Sequence, residues 1–292
     1  MRFRWTRYHR TVVSVIHQPF PMLGRRRAQA WRYQPAFRRP CHFHEESEFN
    51  LVAGGWGVFT VGDREIRVEA GDLLWFIPGV EHYLKDASED FDLFVVGFCP
   101  DLLAAFDREH QAAPSFSRPV ERVDPAMCAR ISDLLVDAPE SADDLGVERR
   151  LLCLLRELSR RPHEEKRKLG HQTATVLLAD REARRDDIAR KLASNRWDVS
   201  RRFNRDHGIS LSEFRNRLRT LELIRLLDAG ETNLTRGAMD AGFGSYSQCH
   251  RVIRALLGTA PRELLNHDFR AALAERFEPL GSGRVDPLVS AR

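Results

Sequence analysis

The chain has 292 residues, 42% of them hydrophobic and 30% charged, and a formal net charge of +4. That length suits two domains, each able to bury a core without disulfide or metal staples. No apolar run approaches the ~20 residues that span a bilayer, and Met1 to Arg10 lacks the apolar stretch of a secretory signal, so a cytoplasmic protein with no membrane partner is expected. Its five cysteines (Cys41, Cys99, Cys128, Cys153, Cys249) are scattered without a CxxC pair, which points away from a disulfide framework or a cysteine zinc knuckle. Total charge fits a nucleic-acid binder without identifying one, because clustering decides.

Residues 1–35 read as a basic N-terminal arm. From 36 to 120 short β-rich runs alternate with turn signals: Phe49 to Ala53, Gly54-Gly55, Trp56 to Val61, Gly62-Asp63, Glu65 to Val68, Gly71-Asp72, Leu73 to Ile77, then Phe91 to Phe98. The Gly-Gly and Gly-Asp pairs suggest tight antiparallel hairpins, and strands at this spacing suggest a sandwich or barrel. Trp56, Phe59, Trp75 and Phe76 suit either aromatic ligand walls or plain core.

Between 121 and 160 Ile131, Leu134, Leu135, Leu151, Leu152, Leu154, Leu155 and Leu158 recur at helical spacing, with Pro139 and Gly146 separating two helices. So wide an apolar face needs a partner, either a second copy in a homodimer or the chain's own sheet. Residues 161–171, charged and without apolar periodicity, read as a linker. A second domain is expected at 172–270 and a C-terminal tail at 271–292.

In that second domain a helix-turn-helix pattern occurs twice. Ile188, Ala189 and Leu192 form the inner face of a short helix, Asn195 caps the next, and in RWDVSRRFN the i,i+4 pair Val199 and Phe203 faces the core. Arg196, Trp197, Ser200 and Arg201 then face solvent, a set suited to a DNA major groove because a guanidinium donates bidentately to guanine. Phe214, Leu218, Leu221, Ile224 and Leu227 mark a long connecting helix ended by Gly230. Asn233 caps the next scaffold helix, and Ser245 caps YSQCHRVIR, where Cys249 and Ile253 turn inward while Tyr246, Ser247, His250, Arg251 and Arg254 stay available.

Ile188-Ala189, Ser200-Arg201 before Phe203, Gly208 in RDHGIS, the Arg219 helix, Ala238 to Gly242-Phe243, Arg251, and Gly258 with Pro261 together resemble the AraC family of bacterial transcription regulators. The resemblance implies two helix-turn-helix units on one long helix. It assigns one DNA-reading surface to Arg196, Trp197, Ser200 and Arg201 and another to Tyr246, Ser247, His250 and Arg251. Gly237, Cys249, Ile253 and Leu223 depart from the pattern, which predicts a less filled second core and leaves most sequence discrimination to the first unit.

Upstream, His42, His44 and Glu48 stand as HxHxxxE, and Gly71 leads to Pro78-Gly79-Val80-Glu81-His82, a pattern that resembles the two cupin motifs. Period two puts His42 and His44 on one strand face, so with Glu48 and His82 they make a three-histidine, one-carboxylate set for a divalent metal such as Fe, Mn, Ni, Co or Zn. A polar effector pocket is the alternative use of the same residues.

The expected fold is therefore α+β in two domains: an N-terminal antiparallel, cupin-like β-barrel with helices and a C-terminal all-α tandem helix-turn-helix domain. The expected function is a non-enzymatic, sequence-specific regulator binding double-stranded DNA, working as a homodimer, contacting RNA polymerase, and answering a small-molecule effector, by resemblance a sugar or related metabolite. The rival reading is a cupin metalloenzyme with an accessory DNA-binding domain.

Overall fold

The computed structural model describes residues 15–33, 37–110, 120–136, 144–159, 169–276 and 278–279. The start of the basic arm, Pro139, most of the predicted linker and the tail from residue 280 lie outside the described residues. The first part runs β1 (Ile16–His17), β2 (Ala28–Tyr33), β3 (Phe37–Arg38), β4 (His42–Phe43), β5 (Ser47–Gly54), β6 (Trp56–Val61), β7 (Arg64–Glu69), β8 (Asp72–Phe76), β9 (His82–Ala87) and β10 (Asp92–Phe98). Then come α1 (Pro100–His110), β11 (Val120–Arg122), α2 (Pro125–Val136) and α3 (Asp144–Ser159).

Two five-stranded sheets face each other, in the orders β1-β4-β9-β6-β7 and β11-β8-β5-β10-β2. Alternation along the strands explains the layering. On β5, Val52 turns inward to meet Phe59, Val68, Leu74, Phe76, Leu84, Phe91 and Leu93 from both sheets. Phe49 and Leu51 turn outward with Trp75, Phe94, Val96 and Phe98, onto the helices. Phe59 and Phe76 therefore line the interior, whereas Trp75 belongs to the helix-covered face and Trp56 lies 4.2 Å beneath the Arg67 guanidinium.

Several sequence expectations change. Gly62-Asp63 does close the β6/β7 hairpin, but β5 and β6 lie in different sheets, as do β7 and β8, so Gly54-Gly55 and Gly71-Asp72 carry the chain from one sheet to the other. Crossing lets consecutive strands bury their inner faces against one another; the left-handed φ of 64° at Gly55 and the lack of room there (a Cβ would fall 2.8 Å from Phe91 Cα) make glycine necessary. The sheets are antiparallel except for β1 beside β4. They also reach back into the segment read as an arm, since β2 hydrogen-bonds to β10 along its length.

The leucine face, read as either a dimer interface or a cover for the chain's own sheet, is turned inward as the cover. Val147, Leu151, Leu154, Leu155 and Leu158 of α3 pack with Ile131 and Leu135 of α2 against the outer face of the β5/β10 sheet. Gly146 lies inside α3 rather than before it. The intramolecular cover thus uses the apolar surface on which the homodimer had been argued.

The second part comprises α4 (Leu169–Ala179), α5 (Arg185–Lys191), α6 (Arg196–His207), α7 (Leu211–Asp228), α8 (Leu234–Asp240), α9 (Tyr246–Leu257), a 3₁₀ turn (Pro261–Leu265), α10 (His267–Ala274) and β12 (Glu278–Pro279). The sequence reading had not anticipated α4, which begins inside the stretch read as a linker and packs on α6. Nor did it anticipate β12, which pairs with β3 within the stretch read as tail. Helix α7 is fixed at its start by a capping box, Ser210 accepting from Glu213 N while the Glu213 carboxylate accepts from Ser210 N. Among the described residues no helix is long and apolar enough to cross a membrane.

The two parts share a core. Val15, Cys41, Phe43 and Val80 from the sheets pack into one cluster with Ala174, Leu177, Val199, Phe203, Phe214, Leu218 and Leu221 from α4, α6 and α7.

Candidate metal centre and DNA-reading helices

His42 on β4 and His82 on β9 are register partners, and His44 follows two residues on with its side chain on the same face. Glu48 comes from β5 in the opposite sheet, so the four predicted ligands meet across the barrel interior. One ligand atom from each of the three imidazoles lies within 4.8 Å of the others. Glu48 Oε2 is 3.2 Å from His44 Nε2, without hydrogen-bond alignment, and 3.7 Å from His82 Nε2, beyond hydrogen-bond distance. All four residues are at least nine-tenths buried.

Each ring is held by its other nitrogen. His42 Nδ1 meets Pro40 O at 2.8 Å, His44 Nδ1 meets Glu46 O at 3.0 Å, and His82 Nδ1 meets Val80 O at 3.0 Å. A carbonyl only accepts, so each Nδ1 carries a proton; each Nε2 points inward and offers a lone pair wherever its ring is neutral, which at His44 requires loss of the second proton. Phe76 stacks on His82 at 4.2 Å and 10°, fixing its plane. The three Nε2 atoms and Glu48 Oε2 are buried without a hydrogen bond among the described residues, a costly arrangement that a cation would relieve. By donor chemistry the set fits a borderline divalent ion.

Electrostatics of the bare protein agree with that geometry. Burial, with Arg39 and the neighbouring rings, drives His42 well below the ordinary histidine value, and burial also lowers His82. Burial opposes charge at His44 too, but the carboxylates of Glu46 and Glu48 prevail and raise it to about 9. Burial would raise Glu48, yet contact with His44 and His82 holds it below the usual carboxylate range. One positive imidazole thus balances the buried carboxylate where a cation would sit.

One residue of this site gave no sequence signal. Phe20, in the segment read as an arm, lies 6.2 Å from His44 edge to face, and its ring occupies the space over Gly97, where a Cβ would approach within 2.6 Å. Its own amide donates to Glu46 Oε2 at 3.3 Å.

In the helical part, Asn195 Oδ1 accepts from the amides of Trp197 and Asp198, setting the start of α6. Val199 and Phe203 are fully buried, which turns Arg196, Trp197 and Arg201 out to solvent with Ser200 partly covered. Trp197 is 69% exposed, with Arg196 5.1 Å over its ring. Asp198 pairs with Arg201 at 2.6 Å, a tether not read from the sequence. In the second unit Ser245 caps α9 through Gln248 N, Cys249 and Ile253 are fully buried, Ser247, His250 and Arg251 are exposed, and Tyr246 is half-buried.

The expectation of a poorly filled second core is not met. A Cβ on Gly237 would fall 3.2 Å from Leu223 Cδ1, so the larger Leu223 occupies the space that Gly237 leaves, and Ala238, Phe243, Cys249, Ile253 and Leu264 close around it.

A buried cluster of three histidines and a carboxylate between two sheets, followed by two helix-turn-helix units on one long helix, is the layout of a DNA-binding regulator with a ligand-binding domain. Residues 24–158 match the family of the AraC-like ligand binding domain and residues 188–267 match a helix-turn-helix domain. The chain belongs to the AraC family of transcription regulators: it carries a DNA-binding helix-turn-helix domain behind a ligand-binding domain. Among solved structures it is similar to ToxT from Vibrio cholerae O395, at 14% identity over 82% of this chain and 96% of that one, with a TM-score of 0.42. A 26% identical stretch covering 25% of this chain and 20% of the other is similar to oxalate decarboxylase OxdC from Bacillus subtilis, with a TM-score of 0.22. One curated relative, lipoyl synthase from Pelobacter propionicus, is 37% identical over 75 residues; the match takes in 25% of this chain and only 24% of that protein's length.

Proposed function

We propose that the protein reads double-stranded DNA through Arg196, Trp197, Ser200 and Arg201 of α6 and Tyr246, Ser247, His250 and Arg251 of α9. We further propose that His42, His44, Glu48 and His82 hold a divalent transition metal inside the barrel. The observation that carries the metal reading is the convergence of three Nε2 atoms and one carboxylate oxygen, all buried and all without a hydrogen bond among the described residues. When bound, the metal would supply a fixed positive charge inside the barrel and hold the four side chains on one point.

We read the centre as sensory rather than catalytic, and the protein as a cytoplasmic regulator and not an enzyme. The ligand shell is enclosed, with Phe20 beside His44, whereas catalytic sites keep a position open to substrate. The interior also holds Asn50 Oδ1 and Tyr33 OH, buried without partners among the described residues, next to an apolar wall of Val52, Phe59 and Leu93. Such a lining favours a small hydroxylated effector, such as a sugar or related metabolite, over a wholly apolar one.

Elemental analysis of the purified full-length chain tests the centre: about one metal per chain is expected, falling to background in His44→Ala. Metal at substoichiometric trace level in the wild type contradicts it. Turnover of candidate small acids or sugars by the metal-loaded protein would favour the enzyme reading instead.

A further inference from the structure

Helix α7 turns an apolar row toward the sheets, with Leu211, Phe214, Leu218 and Leu221 all buried, and in the middle of that row stands Arg217, 1% exposed and among the largest fully buried side chains of the described residues. Packing alone would be served by an apolar residue there. Its guanidinium pairs with Glu81, itself buried, and reaches toward Gly79 O at 3.4 Å. On its other side it lies 5.8 Å from the Phe43 ring.

Every group that Arg217 meets is one residue or a few residues from a candidate metal ligand. Phe43 sits between His42 and His44, turned to the outer face because its neighbours are turned inward. Glu81 precedes His82. The amide of Gly79 donates to His44 O at 2.9 Å, and Val80 sends its carbonyl to His82 Nδ1 while its side chain enters the shared core. Gly79 lies flush on the helix: a Cβ there would touch Leu218 Cδ2 at 3.4 Å and Phe214 at 3.5 Å. The strand and loop that carry three ligands on one side therefore carry the docking surface for α7 on the other.

We infer that Arg217, Glu81 and Phe43 are positioning residues that tie the metal-ligand shell to α7, so that filling the shell and setting the helix that joins the two DNA-reading units are one linked equilibrium. This rests on the metal reading proposed above. Closing His42, His44 and His82 on a common point fixes the backbone at Phe43 and Val80–Glu81, and the buried ion pair passes that fixation to α7 as a register rather than as a merely apolar contact. Linkage is reciprocal, so DNA that holds α7 in place alters metal affinity by the same factor.

The test uses the full-length chain as wild type, Arg217→Met, Arg217→Lys, and the paired Glu81→Met/Arg217→Met variant, which leaves no unpaired buried charge if the single change fails to fold. Metal content after dialysis against Zn(II) or Mn(II) is measured with hydrogen exchange across residues 211–221, with and without metal. Exchange in the wild type is expected to slow by about fivefold or more on metal addition, the lower end of ordinary coupling. The Met variants are expected to take up the same metal without that response, and Arg217→Lys to recover part of it. An unchanged metal response in the Met variants, or none in a metal-loaded wild type, overturns the inference. A wild type that takes up no metal overturns the metal centre and the inference with it.

Discussion

The two helix-turn-helix units are built alike and supported differently. Helices α6 and α9 have 12 residues each, an Asn or Ser cap, an i,i+4 buried pair and a glycine in the left-handed region at the end, Gly208 and Gly258. The second unit closes its own core around Leu223, Phe243, Cys249 and Ile253. The first shares its core with the sensor, and the β6/β7 hairpin rests on the end of α6, where Arg64 donates to Asn204 O at 3.0 Å and Asp63 N to Gly208 O at 3.2 Å. A unit packed on the sensor can respond to it. The other also touches the sensor, with α9 and α10 against β1 and Gln18 Nε2 donating to Arg276 O at 2.8 Å, but its core contains no residue of the sheets.

Core truncation breaks this comparison most strongly. Phe203→Ala is expected to cost ~3–5 kcal/mol and to loosen the sensor interface as well, whereas Ile253→Ala costs ~2–5 kcal/mol and leaves the barrel's exchange protection intact. Chemical denaturation with hydrogen exchange separates the two outcomes; equal loosening of the barrel by both would remove the distinction.

Position 207 offers a second contrast. His207 ends α6 where Leu257 ends α9, and burial, aided by His171, lowers His207 to about 3. Below pH 6.5 the unfolded chain takes up a proton that the folded chain refuses, so this stability is complete above pH 6.5 and declines as pH falls toward 3. At pH 5 the loss is ~2 kcal/mol. His207→Leu, which copies the second unit, should flatten the acid limb of the melting temperature against pH; an unaltered limb would argue against a neutral buried imidazole.

Base reading gives the next effect. Arg201→Ala and Arg251→Ala should each lose ~1–3 kcal/mol of discrimination at one base position. Arg201 is held in place by Asp198, whereas Arg251 makes no ion pair among the described residues, so the larger loss is expected from Arg201. Binding to base-substituted sites measures both, and a larger loss from Arg251 reverses the ranking.

The smallest contrast lies in the turns. Ala193 and Gly242 each stand two residues past the end of a scaffold helix and adopt φ of 47° and 85°. A side chain at such φ costs ~1–2 kcal/mol, so Ala193→Gly should stabilise the first unit by ~1 kcal/mol. Gly242→Ala should destabilise by a similar amount through its φ, since the Glu182 carboxylate that a Cβ would meet is the end of an exposed side chain and can move aside. Thermal melts of the two variants moving in the same direction would refute this.

Periodicity made the helices and their caps legible, because Val199 with Phe203 and Cys249 with Ile253 leave only one face for DNA. The ligand set was legible as spacing, since period two places His42 and His44 together whatever the tertiary fold. Sheet membership was not: Gly54-Gly55 looks the same in a hairpin and at a corner between sheets, and only the opposing layer decides. The docking of the two parts was hidden because Arg217 reads as one more surface charge on a helix rich in arginine. Its meaning comes from Glu81, 136 residues away.

The central claim is that two helices of one chain read neighbouring stretches of one DNA face. Methylation interference on a bound operator, with the full-length protein at physiological salt, tests it most directly. Two clusters of major-groove guanines about one helical turn apart are expected, one lost in Arg201→Ala and the other in Arg251→Ala. Uniform, salt-sensitive protection with no such clusters would contradict the account.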